Sequence, residues 1–212
     1  MPSNRLRGKT IVLTGSNKTT SVKQFIEDNG GICAVFSLID TRERQSVDDA
    51  DQLANLNTYD WLIFTSQNAV QAFIEKCQRL GLNVQTLTCK IASVGAKTTE
   101  LLYEFGLPVH FEPSIFSADM FIEEFPSVST ATESKLFLRG SLAKPTIREG
   151  LPNVDEWTVY ETVTNESSIK PLAEYLMQHQ AIVIFASPSA VAVFNQYIAP
   201  IVGWSTIRVA AI

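Results

Sequence analysis

The chain has 212 residues, 45% of them hydrophobic, and carries a formal net charge of −5. That length and apolar content allow one large core or two small ones. The acidic balance argues against general nucleic-acid binding, and every apolar run is shorter than the roughly 20 residues that a membrane-spanning helix needs.

Three cysteines, Cys33, Cys77 and Cys89, are odd in number, widely spaced and set among apolar residues, so they read as reduced core thiols of a cytosolic protein. The N-terminus has no apolar stretch of signal-peptide length, so a cytoplasmic location is expected. Asn165-Glu-Ser has the form of a glycosylation site, which matters only in a secreted chain. No grouping of His110, His179, cysteine and carboxylate has metal-ligand spacing, so no metal is expected.

In chain order, Thr10 to Leu13 predicts a strand, Thr19 to Asn29 a helix closed by Gly30 and Gly31, and Ile32 to Phe36 a second strand. Ser37 to Asp51 is polar and charged and reads as a linker. Trp61 to Phe64 is a strand, followed by a helix to Leu80. Lys90 to Gly95 is a strand and turn, and the helix Lys97 to Phe105 stops at Gly106 with Pro108 soon after. Pro108 to Glu112 is a short strand, Ser117 to Phe125 a helix capped by Ser117, and Val128 to Ser134 a polar loop. Lys135 to Leu138 is a strand leading into Arg139-Gly-Ser. Trp157 to Val163 alternates with period two, as a half-exposed strand does. Helix Ile169 to His179, strand Ala181 to Phe185, helix Ser189 to Ile198 and strand Ile207 to Ala211 complete the chain.

One phrase occurs twice. Phe64-Thr-Ser-Gln-Asn-Ala-Val-Gln-Ala-Phe73 returns as Phe185-Ala-Ser-Pro-Ser-Ala-Val-Ala-Val-Phe194, identical at five of ten positions. Each copy ends a short apolar strand and opens a helix whose first free N–H a serine, Ser66 or Ser187, can cap. Pro188 occupies the first helical position, where proline fits. Any serine-capped strand-to-helix turn resembles this, so the sharper implication is two similar α/β units. Strand–helix alternation predicts parallel sheets covered on both faces. Too few strands follow residue 165 to complete a second unit unless the first two strands join it. The expected organisation is therefore a discontinuous domain (1–35 with 168–212), an inserted domain (52–154), and a linker crossed twice (36–51 and 155–167).

Ligands of parallel α/β sheets lie beyond the carboxyl ends of the strands, over helix N-termini. The windows expected there, Thr14–Lys23, Phe64–Ile74, Lys90–Thr99, Lys135–Arg148 and Ala181–Ala199, contain none of the 22 acidic residues but do contain Lys18, Lys97, Arg139, Lys144 and Arg148. Helix-start serines displace some acids by themselves. Yet acids are ordinarily favoured near helix N-termini, so their absence points to an anionic ligand. Familiar phosphate motifs fail: Gly8-Lys-Thr10 has Ser3 where a Walker loop has its first glycine, and no G-x-G-x-x-G follows the first strand. No Ser/His/Asp or Cys/His arrangement and no carboxylate pair falls in the windows, leaving positioning, backbone N–H groups and hydroxyls as the chemistry.

Phe64-Thr-Ser-Gln-Asn-Ala-Val, Ser93-Val-Gly-Ala-Lys-Thr, Leu138-Arg-Gly, Val159-Tyr-Glu-Thr and Phe185-Ala-Ser-Pro-Ser-Ala-Val, in this order, resemble the uroporphyrinogen-III synthase family. The resemblance implies two flavodoxin-like α/β domains, the second inserted into the first through a two-stranded linker, with a macrocycle held between them largely by backbone amides. It also implies a cofactor-independent lyase that cyclises hydroxymethylbilane to uroporphyrinogen III, inverting ring D with loss of water. The substrate is a linear tetrapyrrole polycarboxylate, and the protein is expected to be monomeric, with no nucleic-acid or membrane partner.

By motif match, the resemblance places Thr65, Ser66, Gly95, Thr98, Arg139, Gly140, Ser187 and Ser189 around the substrate. Tyr160 matches a tyrosine proposed to assist departure of the ring A hydroxyl, giving an azafulvene that ring D attacks; the alternative is a linker tyrosine that only packs. Two departures stand out. Thr14 is followed by Gly15-Ser16 where many relatives carry Arg-Pro, and no Gly-x-Thr-Thr loop follows Ile207–Ile212. A non-catalytic binder of an anionic small molecule is therefore a competing reading, and an enzyme acting on a nucleotide sugar a third.

Overall fold

The computed structural model describes residues 4–15 and 20–211. In chain order its elements are β1 (Thr10–Leu13), α1 (Thr20–Asp28), β2 (Ile32–Val35), β3 (Ile39–Glu43), α2 (Asp49–Ala54), β4 (Trp61–Phe64), α3 (Gln67–Leu80), β5 (Lys90–Ser93) and α4 (Ala96–Glu104). There follow α5 (Ala118–Glu124), β6 (Lys135–Gly140), α6 (Thr146–Gly150), β7 (Val154–Thr164), α7 (Glu166–Gln178), β8 (Ala181–Phe185), α8 (Pro188–Tyr197), α9 (Ala199–Val202) and β9 (Arg208–Ala211). Two compact units result: Met1–Asp40 with Val163–Ile212, and Thr41–Thr162. No described helix is long and apolar enough to cross a membrane.

The first unit holds the sheet β2-β1-β8-β9, with every pair parallel. Its strands are apolar on both sides because helices cover both. Val12, Val183 and Phe185 face a cluster with Leu172, Leu176 and Phe194, while Ile11, Leu13, Ile182 and Ile184 face Ile26 of α1. The sheet of the second unit runs β3-β7-β6-β4-β5, parallel at β7-β6, β6-β4 and β4-β5. Again alternate residues serve opposite faces. Leu62, Phe64, Leu136 and Leu138 pack with Phe73 and Leu102, whereas Trp61, Ile63 and Phe137 pack with Phe121 and Phe125.

The repeated phrase builds the same local structure twice. Ser66 Oγ accepts the Ala69 N–H at 3.2 Å, and Ser187 Oγ accepts the Ala190 N–H at 3.2 Å. The strands before them, β4 and β8, also have matching neighbours. The next strand in sequence lies on one side (β5, β9) and the strand that comes from further away lies on the other (β6, β1). Replacing Ser187 by alanine should lower stability by about 1 kcal/mol, and by glycine only a few tenths, in urea unfolding.

Elsewhere the structure departs from the pattern. Ser37 to Asp51, expected as one strand of a two-stranded linker, contains β3, which lies beside β7, and also the start of α2, which the composition did not signal. Some of its charges are paired: the exposed Arg42 donates through Nε to Glu161 at 2.8 Å, and the buried Asp49 meets the Lys76 ammonium at 2.6 Å. The strand expected at Pro108–Glu112 shrinks to a bridge between Ala92 and Phe111. The expected strand Trp157–Val163 lies within the longer β7. The short helices α6 and α9 lacked an amphipathic period long enough to read.

Cys77 and Cys89 are buried and Cys33 is partly so, and all three are free thiols. Burial pushes the Cys77 thiol up to about 12 and Cys89 to about 11, which keeps both protonated and unreactive at neutral pH.

Candidate active site

In the second unit, the carboxyl ends of four strands deliver the residues singled out by sequence. β4 ends at Phe64 and presents Thr65 and Ser66. β5 ends at Ser93 and presents Gly95. β6 ends in Arg139 and Gly140, and β7 passes Tyr160 beside them. The strand order reverses direction between β4 and β6, the switch point at which open α/β sheets form their crevice. Ser66 and Gly140 stand on its two sides.

Tyr160 is placed there by an irregularity of the ladder. Arg139 pairs with Thr158, but the next residue, Gly140, pairs with Tyr160, so one residue of β7 is skipped. Such bulges re-aim side chains. Tyr160 Oη reaches 3.4 Å from Ser66 Oγ, and the Ser141 N–H donates to the Tyr160 carbonyl at 3.0 Å. Thr65, Ser66 and Tyr160 are each partly exposed, so they are open to a ligand.

Gly95 opens α4 with φ 107°, a conformation a side chain would strain, and its nearest neighbour is the exposed Phe116. Thr98 is 4% exposed, and its N–H donates to the Gly95 carbonyl at 2.9 Å. It therefore supports the turn that Gly95 opens. Beneath it, the Ser93 and Thr99 hydroxyls meet at 2.6 Å.

Arg139 is engaged by partners within the protein. Its guanidinium donates to Glu156 at 2.6 Å and also bonds the carbonyls of Gly140 and Ala143. Arg148 approaches the same carboxylate at 3.6 Å. Thus the charge expected to grip an anion is largely neutralised. The loops alone could not reveal this, because Glu156 comes from β7, where Phe137 is its register partner, two residues before Arg139. Lys97 and Lys144 remain exposed and form no ion pair among the described residues. Lys18 lies outside the described residues.

In the first unit, Ser187 and Ser189 sit together at the start of α8, their hydroxyls 3.0 Å apart. Across the β1–β8 pair, Thr14 Oγ1 donates to the Ile184 carbonyl at 2.9 Å, which fixes the end of β1. Among the described residues, no cluster of three or more His, Cys, Asp or Glu could hold a metal ion.

Residues 20–212 match the family model described as uroporphyrinogen-III synthase HemD. The chain belongs to that family. The uroporphyrinogen-III synthase of Synechococcus elongatus is 33% identical over 76 residues, 36% of this chain and 29% of that protein. The porphyrin biosynthesis protein HemD of Ruminiclostridium josui is 38% identical over 63 residues, 29% of this chain and 12% of that protein. The chain thus spans less than a third of the length of either of these curated relatives.

Among solved structures, a mutant uroporphyrinogen III synthase from Thermus thermophilus superposes with a TM-score of 0.67 at 18% identity, covering 96% of this chain and 84% of the other. The uroporphyrinogen-III synthetase of Helicobacter pylori gives 0.61 at 18% identity, with 96% and 83% covered. These likenesses show that the family's mixed α/β fold with parallel sheets is present here.

Proposed function

We propose that this member of the uroporphyrinogen-III synthase family cyclises hydroxymethylbilane to uroporphyrinogen III without a cofactor. The C–O bond of the ring A hydroxymethyl group breaks, and the departing oxygen takes a proton and leaves as water. Ring D then bonds the resulting cation through its substituted carbon, giving a spiro intermediate. The older bond from that carbon to the ring C methylene breaks, and that methylene bonds the free α-carbon of ring D, which loses its proton, so ring D ends inverted. The observation that carries this reading is Tyr160, a phenol placed by a bulge at the switch point of the parallel sheet, beside capped helix N-termini. Tyr160 assists departure of the hydroxyl. The Thr65 hydroxyl and the backbone N–H groups at the helix starts of Ser66 and Gly95 in one unit, and the hydroxyls and N–H groups of Ser187 and Ser189 in the other, are offered to the substrate's carboxylates. Folding the pyrrole chain so that ring D meets the cation supplies most of the acceleration, and these dipoles stabilise developing charge.

The same reading takes the architecture as two flavodoxin-like domains, 1–35 with 168–212 and 52–154, the second inserted through the strands of 36–51 and 155–167. It takes the protein as a cytoplasmic monomer. The test is incubation with hydroxymethylbilane, oxidation and separation of the porphyrin isomers. Isomer III in excess over the spontaneous product is the expected result. Isomer I alone would sink the proposal, and tight binding without isomer III would make the chain a non-catalytic binder.

A further inference from the structure

Two features converge on the hydroxyl end of Tyr160. A Cβ added at Gly140 would overlap Tyr160 Cζ and stand 2.6 Å from its Oη and 2.8 Å from its Cε1. No carbon sits that close to these atoms without a bond, so the ring occupies the space that any side chain at 140 would need. The backbone of Gly140 is not in the left-handed region, so alanine is permitted there. What alanine would displace is the far end of the tyrosine, not the sheet.

The second feature is Ser66. Its oxygen accepts the Ala69 N–H at 3.2 Å while lying 3.4 Å from Tyr160 Oη. An N-cap serine accepts with a lone pair, which leaves its own proton to be placed. Donated to Tyr160 Oη, that proton obliges the phenol proton to point away from Ser66.

We propose that Gly140 and Ser66 are positioning residues for the Tyr160 hydroxyl. Gly140 leaves the volume that the phenol occupies, and Ser66 fixes the direction in which the phenol offers its proton. Neither role needs contact with the substrate. This inference rests on the reaction proposed above and assigns Gly140 a duty different from lining the substrate.

The experiment is a double-mutant cycle on Gly140→Ala and Tyr160→Phe, with kcat, KM and the isomer ratio measured on hydroxymethylbilane and folding checked by thermal melting. Gly140→Ala should lower kcat about 10- to 100-fold, the scale expected when a reacting group is misplaced by roughly 1 Å. KM should stay near the parent value, while the melting temperature should fall modestly because a packed ring is displaced. In the Tyr160→Phe background, Gly140→Ala should add little, because the group it displaces has already lost its hydroxyl.

For Ser66, glycine keeps most of the capping but lacks the hydroxyl, and should lower kcat; threonine restores the hydroxyl and should recover it. A parent-like kcat for Gly140→Ala overturns the inference, as does an equal loss when Tyr160→Phe is already present. Loss of kcat in Ser66→Thr equal to that in Ser66→Gly overturns the Ser66 role. Failure of the parent protein to give isomer III is a different result, which removes the proposed function itself.

Discussion

Replacing Lys76 by methionine should destabilise the protein by about 3 kcal/mol or more, within the 3–5 kcal/mol typical of breaking a buried ion pair from one side. Lys76 lies on α3, is fully buried, and bonds Asp49 at 2.6 Å, Glu43 at 3.0 Å and the Arg44 carbonyl at 2.7 Å, with the Trp157 ring 5.5 Å away. Methionine fills much the same volume, so packing is kept while two carboxylates lose their central cation. Arg79 also contacts both carboxylates, at 2.6 Å to Glu43 and 3.0 Å to Asp49, and would keep part of the compensation. That places the loss towards the lower end of the range. Asp49 Oδ1 is already buried with no hydrogen-bond partner, so this carboxylate has little else to turn to. The check is the urea midpoint at pH 7, and a change below about 1 kcal/mol would mean water or Arg79 replaces the ammonium. Adding Asp49→Asn should recover part of the loss, since an amide without a cation is cheaper to bury than a carboxylate.

The same cluster sets a pH dependence. Burial pushes the Glu43 and Asp49 carboxyls up, but hydrogen bonds and charge from Arg79 and Lys76 outweigh it and hold both below their ordinary values of 4.5 and 3.8. A carboxyl depressed in the folded state binds its proton more readily once unfolded. Its contribution is therefore complete above about pH 4.5 and is lost as pH falls through the folded value. In Lys76→Met the depression shrinks, so the stability gap between parent and variant should hold from pH 7 to about pH 4.5 and narrow as pH falls below it.

How much of this was legible depended on whether the partners are local. Ser66 and Ala69, or Ser187 and Ala190, are three residues apart, so strand, cap and helix could be read from one phrase. The burial of Leu62 and Ile63 on opposite sides follows from a short apolar strand in a parallel sheet. In Ser37 to Asp51 the buried ion pair was not legible, because a polar composition looks the same whether a given charge is solvated or paired. Asp49 finds Lys76 across 27 residues of chain, and Arg42 finds Glu161 across 119. The partner of Arg139 was hidden for the same reason: Glu156 arrives by strand register, which no window around Arg139 contains. Gly140 was visible as a motif residue, but its close approach to the Tyr160 ring needs a ladder irregularity that composition does not encode.

Tyr160→Phe should lower kcat by about 10²- to 10⁴-fold, the usual contribution of a positioned proton donor or acceptor, while leaving stability and substrate affinity nearly unchanged. The ring packs at the edge of the cluster that contains Phe64 and Trp157, and phenylalanine keeps that contact. The hydroxyl's bond to Ser66 is long at 3.4 Å and only partly buried, so its removal costs the folded state little. The two roles open to Tyr160 thus diverge in one variant. A packing tyrosine tolerates the loss of its oxygen, whereas a tyrosine that assists the departing hydroxyl does not. The isomer ratio sharpens the contrast, because substrate that outlives the enzyme closes spontaneously to isomer I. A slowed variant should therefore shift product from III towards I at low enzyme concentration and return to III as enzyme is raised. A parent-like rate with parent-like isomer III would assign Tyr160 to packing.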